Sequence, residues 1–319
     1  MTSEEARESA GWILSGLGRP ASKLTRMPTG LCHHVFEVEL AGGGSLVLRL
    51  GRPETAAAIR GGVAWHSRLA GAGVPVPALL AFSLEGEHPY MLLERLAGRD
   101  LLYEYPVMTD SELRALAAEL AAVQGRVAGL PRAQGYGFAS DYGDPALASG
   151  WAEVVEKGLE RSRRRLESSG ACDTGVVEAV ARRLPAFREA WKGIEPVAFL
   201  DDATTKNVIV HRGRLSGIVD TDHVCFGDPL YTLGLTRMAL LSQGLGTAYV
   251  DHWADCLGLD PAARASVDLY TAVFCVDFLS ELGQRFNLDE SPAVDPARKA
   301  HLLGILEAQL RRLDGGPQR

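Results

Sequence analysis

The sequence predicts an α+β chain of two lobes, a small β-rich N-terminal lobe and a large helical C-terminal lobe. Three observations carry this expectation. The 319 residues are about twice the length of an average domain. Strict alternation of polar and apolar residues is concentrated in the first hundred positions. Beyond Gly98 the apolar residues recur at helical spacing, with one β-like island at residues 198–219. The expected division places residues 1–96 in the N-terminal lobe and 97–319 in the C-terminal lobe, with the chain crossing between them near residues 94–99.

The elements follow in order. Thr2 and Glu5 have capping-box spacing and open a helix whose apolar side includes Trp12, Ile13 and Leu14. Residues 34–40 and 45–50 alternate around the turn at 41–44 and predict a hairpin with a glycine-rich loop. Residues 54–71 read as a helix. Residues 74–77, Val-Pro-Val-Pro, must be extended, because proline excludes the helical region for its predecessor, and residues 90–94 form another strand. A second capping box, Thr109 with Glu112, starts a helix bearing the stripe Leu113, Leu116, Ala117, Leu120 and Val123. Further helices are expected at about 149–168, 174–191, 229–243, 262–284 and 295–312, with short strands at 198–200, 208–210 and 215–219.

Composition excludes several classes of function. With 46% hydrophobic and 23% charged residues, the chain is neither disordered nor fibrous. Its net charge of -7 opposes non-specific binding to nucleic acid or to an anionic membrane. The five cysteines, Cys32, Cys172, Cys225, Cys256 and Cys275, include no C-x-x-C pair and are expected as reduced thiols of a cytoplasmic protein. No apolar run approaches the ~20 residues of a membrane helix, and the first ten residues lack the features of a secretory signal.

The chemistry is concentrated in residues 199–222. Asp202 is followed five positions later by Asn207, then by a short strand pair, and Asp220 ends the second strand. Phosphoryl transfer from a nucleotide to a hydroxyl needs a carboxylate to orient and deprotonate the hydroxyl. It also needs an amide oxygen and a second carboxylate to hold Mg²⁺ on the phosphates. A hairpin between Asn207 and Asp220 would bring the three side chains together.

Asp-x4-Asn, a hairpin, Ile218-Val219-Asp220 and then Phe226-Gly227-Asp228-Pro229 together resemble the aminoglycoside phosphotransferase and choline kinase family, which has the protein-kinase-like fold. The resemblance runs along most of the chain. Thr29 and Gly30 with residues 35–38 resemble the family's nucleotide-covering hairpin, residues 46–49 its phosphate-binding strand, residues 74–77 the approach to its fourth strand, and residues 90–98 its hinge. The resemblance implies Asp202 as the catalytic aspartate and Asn207 and Asp220 as metal ligands. It further implies a nucleotide site including Gly30, His34, Arg49, Glu94, Leu96 and Lys206, with the adenine held by hinge backbone. Arg49 takes the place of the basic phosphate-binding residue, since none of the five lysines lies on that strand.

Two departures stand out. The position two residues before the catalytic aspartate, usually histidine in the family, is Leu200. The helix that normally supplies a glutamate to pair with the phosphate-binding base has no acidic residue between 56 and 70, and only Glu54 is near. Asp201 competes with Asp202 but is one residue too far from Asn207. Asp222 reads equally as a further metal ligand or as a loop carboxylate capping an amide. Asp228 is expected as a buried acceptor that holds the catalytic loop. His33 and His34 point to opposite faces of a strand, and Arg161, Arg163, Arg164 and Arg165 form a solvated helix face.

The expected function is that of a small-molecule kinase: transfer of the γ-phosphoryl group of ATP or GTP, with Mg²⁺, to a hydroxyl of a small acceptor, by a monomer or homodimer. Between Ser216 and Asp295 there are twelve acidic and three basic residues, which favours a cationic acceptor. Residues 134–137, Gln-Gly-Tyr-Gly, resemble the hygromycin phosphotransferase branch and make an aminoglycoside-type antibiotic the leading acceptor. The alternatives are a kinase of an amino alcohol, a sugar or homoserine, a nucleotide-binding pseudokinase without turnover, and a nucleotidyl transferase. A protein substrate is disfavoured by the absence of an activation segment between Asp222 and Phe226.

Overall fold

The computed structural model describes residues 2–27, 33–286 and 288–315. Helix α1 (Ser3–Gly16) starts at the expected capping box: Glu5 N–H donates to Thr2 Oγ1 at 3.2 Å, and Thr2 N–H donates to the Glu5 carboxylate at 2.7 Å. Its inner face, Ala6, Ala10 and Leu14, covers one side of a five-stranded sheet. The strands are β1 (Ala21–Met27), β2 (His34–Leu40), β3 (Ser45–Leu50), β4 (Leu79–Ser83) and β5 (Tyr90–Glu94), antiparallel in the order β1-β2-β3-β5-β4. Strand β1 is absent from the sequence reading because its seven residues, ASKLTRM, carry four polar or charged groups and no clean alternation. Residues 74–77 lead into β4, which begins just past the second proline.

Sheet periodicity sorts the side chains. Phe36, Val38, Leu46, Leu48 and Leu50 face α1, whereas Val47, Met91 and Leu93 face α2 (Ala56–Gly71) with its Ile59. Helix α2 also reaches the C-terminal part: Trp65 is fully buried, donates its indole N–H to Ala139 O at 2.7 Å and joins the core beneath the catalytic loop.

Beyond Gly98 come the short β6 (Arg99–Asp100) and α3 (Leu101–Glu104), then α4 (Asp110–Ala128), which opens at the second expected capping box. Strand β7 (Gly137–Ala139) is followed by α5 (Trp151–Ser169), α6 (Gly175–Ala181) and α7 (Arg188–Trp191). The single helix expected over 174–191 is therefore broken, with a 3-10 turn at Leu184–Ala186 around Pro185, which cannot donate a helical hydrogen bond. Strands β8 (Val197–Phe199), β9 (Val208–His211), β10 (Arg214–Ile218) and β11 (Val224–Gly227) precede α8 (Leu230–Ser242), α9 (Ala248–Cys256), α10 (Pro261–Ser280) and α11 (Pro296–Leu313). Strands β9 and β10 form the expected hairpin, turned at Arg212 and Gly213, both with positive φ.

The helices pack closely through small residues. A Cβ on Gly234 of α8 would fall 2.4 Å from Tyr270 Cβ of α10, and one on Gly227 would fall 2.1 Å from the Trp151 ring. Tyr270 Oη receives Trp151 Nε1–H at 2.8 Å and donates to Asp228 at 2.7 Å, while Asp228 also accepts Leu230 N–H at 3.0 Å. Asp228 is a buried acceptor as expected, but its side-chain hydrogen bonds fasten the start of α8 to α10, and through Tyr270 to α5, and do not run to residues 200–207. The basic run on α5 is ion-paired: Arg161 and Arg165 reach Asp277, and Arg163 and Arg164 reach Glu160. Among the described residues Cys172, Cys225 and Cys275 are buried free thiols and Cys256 is an exposed one. No helix of the described residues is long and apolar enough to cross a membrane.

Candidate functional site

The loop from Leu200 to Asn207 links β8 to β9 and is anchored at both ends. Leu200 is buried, its N–H donates to Gln124 Oε1 at 2.9 Å, and its carbonyl accepts Gln124 Nε2–H at 2.7 Å and Thr232 Oγ1–H at 2.8 Å. Gln124 from α4 and Thr232 from α8 therefore hold the loop start at Leu200 through its backbone. At the other end Asn207 N–H and Val208 N–H both donate to Thr204 O, at 3.1 and 3.0 Å. Gln124 went unnoticed in the sequence because a glutamine within an apolar helical stripe has no motif of its own.

The three expected catalytic and metal-binding side chains converge here. Asn207 Nδ2–H donates to Asp202 O at 2.9 Å, which commits the amide nitrogen and leaves the oxygen available as a ligand. Asn207 O accepts Val219 N–H at 2.9 Å and so ties the loop to the residue before Asp220. Asp220 has φ of 62°, the left-handed region that a non-glycine residue occupies at a cost. Asp202 accepts Thr204 Oγ1–H at 2.9 Å, and its carboxyl is pushed up to about 6, first by burial and then by the charge of Asp220. Asp201 is pushed further, to about 8, by burial and by Asp202. Of the two neighbours, Asp202 is thus the one ionised at neutral pH.

Lys206 is exposed on the same loop, and its charge opposes the upward shifts of Asp202, Asp100 and Glu281. Glu281, just past α10 and read in the sequence only as one of the acidic residues of 216–295, is raised to about 7 by burial and by Asp277. Among the described residues no three His, Cys, Asp or Glu side chains gather as a metal cluster. The oxygen donors of Asn207 and Asp220 suit a hard cation such as Mg²⁺, which takes few protein ligands and completes its shell with phosphate and water.

From the opposite side of the cleft, Arg49 of β3 reaches Asp220 and its neighbour Asp222. Its Nη1–H donates to Asp222 Oδ1 at 2.8 Å, and its Nη2 donates to Asp222 Oδ2 at 2.7 Å and to Asp220 Oδ1 at 2.8 Å. His33 Nε2 lies 2.9 Å from Asp222 Oδ2. Asp222 is buried, which alone would raise its carboxyl, yet Arg49 and His33 hold it below its ordinary value. It is therefore the partner of Arg49, not an amide cap, and Glu54 is exposed and uninvolved. The room comes from α2, where a Cβ on Gly61 would fall 2.4 Å from Asp222 O and one on Gly62 2.6 Å from Asp222 Oδ1.

The remaining expected residues are placed as follows. Gly30 lies outside the described residues. His34 pairs in register with Leu50, shares the face of Phe36 and Val38 and packs toward α1, away from the face that carries Arg49. That orientation removes it from the groups the cleft brings together. Glu94 ends β5 opposite Leu46, with its N–H donating to Ala78 O at 2.9 Å and its carboxylate accepting Ala78 N–H at 3.1 Å. Leu96 lies over β10, and its carbonyl accepts Arg95 Nη1–H at 2.6 Å. Gly98, at φ of 102°, crosses so close to β9 that a Cβ would fall 2.1 Å from Val210 O.

Residues 23–270 match the family model described as the phosphotransferase enzyme family. No curated protein matches by sequence. Among solved structures, the chain is similar to a thermostable mutant of aminoglycoside phosphotransferase APH(4)-Ia in ternary complex with AMP-PNP and hygromycin B, at 19% identity and TM-score 0.67, covering 96% of this chain and 98% of that one. It is similar to ADP-bound aminoglycoside phosphotransferase APH(2'')-Ib at 13% identity and TM-score 0.64, covering 98% and 99%. It is also similar to a candidate fructosamine-3-kinase from Thermobifida fusca YX-ER1 at 19% identity and TM-score 0.61, covering 95% and 99%.

Proposed function

Because the chain belongs to the phosphotransferase enzyme family, we propose that it transfers the γ-phosphoryl group of ATP, or of GTP, to a hydroxyl of a small cationic acceptor of the aminoglycoside type. In this reading Asp202 orients the acceptor hydroxyl and takes its proton as the phosphorus–oxygen bond forms. Asn207 and Asp220 hold Mg²⁺, which when bound neutralises charge on the phosphates. Arg49 grips the phosphates from the strand side, Lys206 adds a positive charge beside Asp202, and the backbone of Glu94 and Leu96 meets the base.

The observation that carries the reading is the convergence of Asp202, Asn207 and Asp220 on one side of the cleft, with Arg49 reaching Asp220 from the other. Retention of the whole set favours turnover over a binding-only protein. A cationic acceptor is supported by the acidic excess of residues 216–295. A second reading, a metabolite kinase, is favoured by the likeness to a candidate fructosamine-3-kinase.

Mass spectrometry of pooled aminoglycosides, hygromycin, amino alcohols and glycated amines after incubation with Mg-ATP tests the reading. The expected result is one product heavier by a phosphoryl group, with Asp202→Asn slower by about 10²–10⁴-fold. A product bearing AMP would instead establish nucleotidyl transfer. Absence of any product together with no stabilisation by Mg-ATP would overturn the kinase reading.

A further inference from the structure

Arg49 carries a long side chain with many rotamers, and a phosphate-gripping guanidinium must be held in one plane to present its donors. In this chain a two-bond pair with Asp222 fixes that plane. The carboxylate is itself held from a second direction by His33 and is only 7% exposed. Helix α2 is shaped around it. Adjacent glycines in a helix interior are unfavourable, yet Gly61 and Gly62 stand where a side chain would overlap the Asp222 carbonyl and carboxylate. A carboxylate on α2 at this level and one on Asp222 would compete for the same space.

We propose that Asp222 is the positioning residue for Arg49: seated in the gap left by Gly61 and Gly62, its carboxylate fixes the guanidinium that receives the nucleotide's phosphates. This rests on the reading of Arg49 as a phosphate-binding group. The geometry also allows the carboxylate to be moved. The Cβ site of residue 62 lies 2.6 Å from Asp222 Oδ1 and 3.0 Å from the flexible Met91 side chain, which must shift slightly to admit a side chain there. An aspartate at position 62 can therefore place an oxygen where Asp222 places one now.

The test is binding of Mg-ADP by calorimetry, which needs no acceptor. Asp222→Asn is expected to weaken binding at least ~10-fold, yet to change it less than about twofold in an Arg49→Met background, since the residue acts through Arg49. Gly62→Asp combined with Asp222→Ala is expected to restore binding to within about threefold of the native chain. Effects of Asp222→Asn and Arg49→Met that multiply, or unchanged binding in Asp222→Asn, would overturn the proposal. Should Asp222→Asn fail to fold, Gly62→Ala decides. It keeps both charges but displaces the carboxylate, and native affinity in that variant would equally overturn the proposal. If the native chain binds no nucleotide, the phosphate reading of Arg49 fails first, and that outcome is distinct from native binding left intact by the substitutions.

Discussion

Gln124 holds both backbone groups of Leu200 through one side-chain amide, so its truncation would orphan a buried N–H and weaken the hold on a carbonyl that keeps Thr232. Gln124→Ala is expected to cost about 2–4 kcal/mol of stability, read from the urea midpoint, and to lower kcat by loosening the loop that carries Asp202. His34 supplies a pH dependence. Burial first, then the charges of Arg26 and Arg52, lower it to about 4 from the ordinary 6.5, against a smaller opposing pull from Asp289. Between those values the unfolded chain takes up a proton that the folded chain refuses, so stability rises with pH through this window and is lost as pH falls toward 4. The contribution is on the order of 3 kcal/mol, and His34→Gln is expected to flatten the dependence of urea midpoint on pH between 4 and 7. Asp202, Asn207 and Asp220 were legible because their spacing is local in sequence. The partners Arg49 and Asp222 lie 173 positions apart, and no local pattern links them. The double glycine in α2 was visible, but its meaning depends on what packs against it.

Elements were legible where a local rule decides them. Both capping boxes form, and Thr109→Ala is expected to cost about 1 kcal/mol of stability without affecting Mg-nucleotide affinity, because the Thr109 side chain bonds Ser111 and Glu112 within its own turn. Helix α9 was missed because its nine residues, AYVDHWADC, fall in a stretch where short polar and apolar residues mix without a long stripe. Its Tyr249, Val250 and Trp253 are nevertheless buried against the α4 core. Packing decides the close approaches as well. Gly227 combines φ of 147° with a Cβ position 2.1 Å from the Trp151 ring, and the ring is fully buried and cannot retreat. Gly227→Ala is expected to abolish soluble folded protein or to lower the melting temperature by more than 10 °C, measured by calorimetry.

At the scale of the molecule, periodicity showed a strand-rich segment followed by a helical one, although β1 and α9 escaped it. The acceptor could not be read, because groups such as Arg161 of α5, Lys206 and Glu281 past α10 come to act on one another only in the fold. The charge excess of residues 216–295 does yield an expectation. With a cationic acceptor, kcat/KM falls as ionic strength rises from 0.01 to about 0.2 M, whereas a neutral acceptor gives a flat profile. Steady-state kinetics in a salt series separates the two. The Gln124 clamp has a further consequence. The Leu200 amide proton is buried and given to a side chain instead of a β-ladder. Its exchange with deuterium is thus gated by one glutamine, and a single amide resonance would report the opening of the catalytic loop while no reaction is running.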